Sequence, residues 1–135
     1  MVFNKHVALF ATKAVIAYFL LIAIIGFLLA AILMMTVGTD FIINAAKTPI
    51  GLLVVIIIDV VCLYITLNLL VKNSKDSKDI LHSGLVLTLG TIFVVQLNGL
   101  FTSTANGFSR GVSFLSWIVI LALTYFLIKQ RIDKK

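Results

Sequence analysis

Glutamate is absent from this 135-residue chain, and its five acidic residues are all aspartate. One cysteine, Cys62, and one proline, Pro49, are present, and charged residues make up only 12% of the chain. Each scarcity excludes something. Without glutamate, a common general acid/base is missing. With one cysteine, no disulfide closes within the chain, and Cys62 reads first as a small apolar packing residue. No His/Cys/Asp/Glu set has metal-ligand spacing, and no Gly-rich loop follows a strand. Paired intramembrane histidines, which haem held between helices would need, are absent. His6 and His82 lie at the ends of apolar runs, far from Asp59 in depth, so no Ser/His/acid triad can assemble. The sequence therefore predicts no enzyme, no metal and no cofactor.

What is abundant is apolar. Hydrophobic residues make up 61% of the chain, outside the balance of a soluble domain. Four runs are long enough to cross a hydrocarbon core of roughly 30 Å as helices: 14–37, 50–71, 80–101 and 111–128. The first is too long for a signal-peptide core and reads as a retained span. The expectation is an all-α, polytopic membrane protein, a single four-transmembrane-helix bundle over residues 1–135. No internal repeat is evident. The net charge of +6 forms no groove-sized patch, so nucleic acid is not an expected partner.

The basic residues instead mark orientation. Lys5, Lys13, Lys72, Lys75, Lys78, Lys129, Arg131, Lys134 and Lys135 fall on one side of a four-span topology, and only Lys47 and Arg110 on the other. The positive-inside rule then puts both termini in the cytoplasm, in a plasma (cytoplasmic) membrane. Tyr18 and Tyr125 lie near that face, as interfacial aromatics do. The first twelve residues fit either a separate interfacial helix or the first turns of the first span. Gly38 suits a helix end and Pro49 a helix start, with a loop between them whose Phe41-Ile42-Ile43 rests on the membrane surface. The charged segment 72–79 is short enough to make its flanking helices antiparallel neighbours. Ser77, Asp76 and Asp79 are placed to cap the third span. Asp79 and His82, at i and i+3, form either a pH-responsive pair or a cap beside an interfacial histidine.

One residue resists this account. Asp59 sits in the middle of the second run, where an acid costs about 2.5–3.5 kcal/mol. The sixteen Leu, Ile and Val residues of that run each return roughly 0.3–0.6 kcal/mol when central, so the helix inserts regardless. On the same helix Cys62 and Thr66 share its face. On the third run Gly84, Thr88, Thr91, Val95, Asn98 and Thr102 recur at helical spacing. A hairpin between the two runs would bring Thr88 or Thr91 to donate to Asp59. Asp59, Thr88, Thr91, Cys62 and Thr66 are thus the candidate intramembrane polar site. Ala23, Gly26 and Ala30 form a small-residue stripe on the first run, expected to pack chiefly within the chain.

Two functions compete. In one, the protein is non-enzymatic and works by helix–helix association. It is then an accessory subunit of a membrane complex, or a protective protein that binds another protein's membrane helices. In the other, a homo-oligomer forms a channel or proton- or cation-coupled carrier centred on Asp59. The expected partners are the bilayer and either further copies or a larger membrane protein.

Overall fold

A computed structural model describes residues 3–46, 48–102 and 107–135. The described residues form five helices: α1 (Lys5–Thr36), α2 (Thr39–Ala46), α3 (Pro49–Asn73), α4 (Lys78–Thr102) and α5 (Gly107–Asp133). All but α2 are long and apolar enough to cross a membrane. The chain is an all-helical, multi-pass bundle. Lys47 and residues 103–106 of the polar loop lie outside the described residues.

The helix ends follow local chemistry. Asn4 caps α1, its side-chain oxygen accepting from the Val7 N–H at 3.1 Å. The opening residues are therefore the first turns of α1 and not a separate helix. At 32 residues, α1 is roughly 48 Å long, more than a bilayer core requires. Its far end stops at Gly38, which has a φ of +85° and returns its N–H to the Leu33 carbonyl at 3.2 Å. A side chain there costs about 1 kcal/mol in this left-handed conformation. Gly38→Ala is accordingly expected to fray the last turn of α1, read as faster amide exchange at residues 33–37.

The segment expected as a loop after Gly38 is helical. It forms α2, with Phe41 exposed; the side chains of Ile42 and Ile43 are outside the description. Pro49 takes the first turn of α3 behind the Thr48 cap, which accepts from the Gly51 N–H at 3.2 Å. Ser77 opens α4, accepting the Leu81 N–H on its carbonyl at 3.0 Å.

The packing order corrects the expected hairpin. α1 packs on α4 and α3, and α5 packs on α3 and α4, whereas α3 and α4 are not packed together. The two helices joined by the charged linker stand diagonally across the bundle. Helix axes in contact are 8–10 Å apart, which makes a diagonal of about 11–14 Å. The linker Ser74–Ser77 starts with Ser74 extended (φ −80°, ψ 142°), and four residues reach about 13–14 Å. The short connection is long enough to cross.

The core occupies one end only. Val7, Phe10, Ala14 and Tyr18 of α1 meet Cys62, Leu63, Leu67 and Val71 of α3, Leu81, Leu85, Leu89 and Ile92 of α4, and Ile120, Ile128 and Ile132 of α5. All lie toward the end that carries the charged linker and both termini. Toward the opposite end α1 leaves the core, with Phe27 75% and Met35 87% exposed, while α4 and α5 stay together, the Phe93 and Phe114 rings 6.0 Å apart. The charged end is laced together. His6 faces Asp76 at 3.9 Å, and the Lys78 ammonium donates to the Asp133 carbonyl at 3.1 Å. His82 pairs with Asp133 at 3.1 Å, not with Asp79, because antiparallel α5 brings Asp133 across while Asp79 stays at the exposed start of α4.

Candidate functional site

Asp59 is half-buried on α3, just beyond the buried part of that helix. Its neighbours differ from those expected. α4 is not among the helices packed closely on α3, neither Thr88 nor Thr91 bonds Asp59, and their hydroxyls are already used. Thr88 donates to the Gly84 carbonyl at 2.7 Å and Thr91 to the Leu87 carbonyl at 2.8 Å. Thr66 does the same with Cys62 at 2.8 Å. A threonine inside a helix can satisfy its hydroxyl one turn back, and here each one does. The stripe on α4 therefore does not act as one face. Gly84 and Thr88 are buried, Thr91 is half-buried, and Val95, Asn98 and Thr102 are exposed.

The aromatic group that Asp59 acts on electrostatically comes from α1. The Tyr18 ring, 1% exposed, lies within electrostatic reach of both Asp59 and Cys62. Tyr18 is thus a core residue and not an interfacial anchor. Tyr125 keeps a surface position, with the Lys129 ammonium 5.9 Å from its ring. The pairing of Tyr18 with Asp59 had a signal in the sequence. Tyr18 is thirteen residues from the start of α1 and Asp59 fourteen from the end of α3, so antiparallel neighbours put them at equal depth. What was not visible was that α1, not α4, is the neighbour.

Among the described residues, none makes a hydrogen bond to the Asp59 carboxyl. The site thus comprises one acid in the middle of an apolar helix, with a tyrosine and a thiol within electrostatic reach. A carboxyl so placed can hold a proton, accept a donor from another helix, or face water. Among the described residues there is no cluster of three or more His, Cys, Asp or Glu able to hold a metal.

The small-residue stripe is also placed differently from expectation. Ala23, Gly26 and Ala30 are all exposed, and a Cβ built on Gly26 meets no heavy atom within 4 Å. The stripe lies in the part of α1 beyond the core, so it makes no close approach within the chain. The close approach occurs instead at Gly84, against Phe10.

Comparison with known protein families, curated proteins and solved structures finds no match to this chain.

Proposed function

We propose that this protein is a non-enzymatic, multi-pass membrane component that works by lateral association with the membrane helices of another protein. It would serve as an accessory subunit of a complex or as a protective binder. Asp59 carries this reading. It is half-buried, without a hydrogen bond from the described residues, and stands just beyond the buried stretch of α3, which runs from Cys62 to Val71. In hydrocarbon an unsatisfied polar group costs several kcal/mol, so a donor from outside the chain is the economical solution. The exposed Ala23, Gly26 and Ala30 on the part of α1 beyond the core add a surface that another helix can approach closely. The charge count supports a plasma (cytoplasmic) membrane with both termini and the Ser74–Ser77 linker on the cytoplasmic side.

The same half-buried carboxyl favours a second reading, in which several copies enclose a wet path and Asp59 exchanges a proton or holds a cation. Four helices of this size do not enclose a pore alone, so the path requires a homo-oligomer. The two readings separate at one side chain. For an associating clasp, Asp59→Asn keeps a stoichiometric partner bound in mild detergent, because an amide still hydrogen-bonds, while Asp59→Leu releases it. A carrier instead loses proton or cation flux in reconstituted vesicles with Asp59→Asn while still inserting. Flux present in the wild type and abolished by Asp59→Asn would replace the first reading with the second.

A further inference from the structure

At the charged end, a cleft of about 400 Å³ opens between α3 and α5, lined by Asn68, Val71, Lys72, Arg131, Lys134 and Lys135. Four of its six lining residues are cations and none is an acid. We propose that this cleft is a binding site for the headgroup of an anionic phospholipid. The inference rests on the chain crossing a bilayer and is independent of any protein partner.

Three observations support it. The first is charge. Both α3 and α5 end here, and each helix C-terminus carries roughly half a negative charge. Together they offset about one of the four positive charges. The nearby carboxylates, Asp76 and Asp133, do not line the cleft. Asp76 faces His6, and Asp133 is engaged by His82 and, through its carbonyl, by Lys78. The second is preorganisation. The Asn68 side-chain oxygen accepts the Arg131 Nε–H at 2.8 Å, which fixes the guanidinium plane and leaves its terminal nitrogens directed away from that bond. A planar fork held in this way suits two oxygens of one phosphate. The Lys135 ammonium is held at the Val71 carbonyl at 2.6 Å and also at the Ser74 carbonyl, so it stays at the end of α3.

The third observation selects a lipid over free phosphate. Along α3, Val61 and Ile65 precede Asn68 and Lys72 at helical spacing, and along α5, Leu123 and Leu127 precede Arg131 in the same way. All four are exposed. The cationic cleft therefore continues toward the membrane interior as two apolar stripes on parallel neighbouring helices. One end receives a phosphate and the other accepts acyl chains. Basic clefts between membrane helices on the cytoplasmic side are known lipid-headgroup sites.

Native mass spectrometry of the detergent-solubilised full chain tests this, with phosphatidylglycerol as the anionic probe, phosphatidylcholine as the zwitterionic probe and inorganic phosphate as the free anion. Phosphatidylglycerol is expected to bind and phosphatidylcholine to dissociate. Removing each cation should weaken binding about fivefold, so Lys72→Gln with Arg131→Gln gives about 25-fold. The exposed Lys72→Gln alone, which leaves the bundle intact, gives about fivefold. Lys5→Gln with Lys13→Gln removes as much charge from the same end outside the cleft and should change binding by less than about twofold. Equal losses in the two double variants would reduce the effect to diffuse attraction and overturn the site. So would equal retention of phosphatidylcholine, or displacement of the lipid by equimolar inorganic phosphate.

Discussion

Gly84→Leu is expected to destabilise the bundle by about 3 kcal/mol, the upper part of the usual range for overpacking. A single Cβ at Gly84 would stand 2.5 Å from Phe10 Cδ1, 3.0 Å from Cγ and 3.3 Å from Cβ. Rotation about χ2 can ease the approach to Cδ1, but Cγ and Cβ lie on that axis and stay close. Phe10 is itself 5% exposed, and its displacement would push into the core. Moving α1 away instead would break its contact with α4 over a full helical face. Unfolding in mixed micelles with increasing SDS measures the loss. Gly84→Ala should cost about 1 kcal/mol, and Phe10→Ala beside it should recover part of that, because the two positions are directly coupled. Wild-type stability in Gly84→Leu would mean that α1 and α4 do not approach as described.

This contact shows what kind of information the sequence held. Gly84 was visible as one member of a small, polar repeat on α4, and the periodicity correctly put it with Thr88 on a face. Periodicity identifies a face but not what the face meets. The expected partner follows from the shortness of the charged segment 72–79, on the premise that a short connection joins neighbours. Four extended residues also reach the diagonal, and in that arrangement Thr88 and Thr91 bond their own helix while Tyr18 comes within electrostatic reach of Asp59. The threonines carried a second ambiguity, since a helical hydroxyl can be satisfied by its own backbone without facing any partner. Signals that act within one turn survived intact. Gly38, Pro49 and Ser77 end or begin helices as expected, because a φ value or a cap depends on the adjacent residues alone. Among the described residues, the basic residues at the start of α1, around the Ser74–Ser77 linker and at the end of α5 share one end of the bundle, with Arg110 at the other. The taper of the core was not legible, because leucine and isoleucine face lipid and protein with equal ease.

That taper sets the second large effect. Leu67→Ala, at a site with 0% exposure, is expected to cost about 2 kcal/mol. Leu53→Ala, on the same helix but 56% exposed, should fall within about 0.5 kcal/mol of wild type. In water a buried Leu→Ala change costs roughly 2–5 kcal/mol, part of it transfer free energy and part the cavity left behind. Within a membrane the apolar surroundings outside the bundle return most of the transfer part, since acyl chains are as apolar as the core. The cavity part remains, because atoms around a void too small to refill lose their dispersion contacts. Leu67 therefore retains the cavity cost, whereas at Leu53 acyl chains or detergent occupy the vacated space. SDS-driven unfolding of the isolated chain distinguishes the two directly. Equal losses at the two positions would mean that α3 is packed along its whole length, and Asp59 would then lie inside a sealed core with no face left for a partner. A large loss at Leu67 with none at Leu53 leaves this part of α3 facing outward without native packing, the condition under which a second protein's helix can lie against it without displacing native contacts.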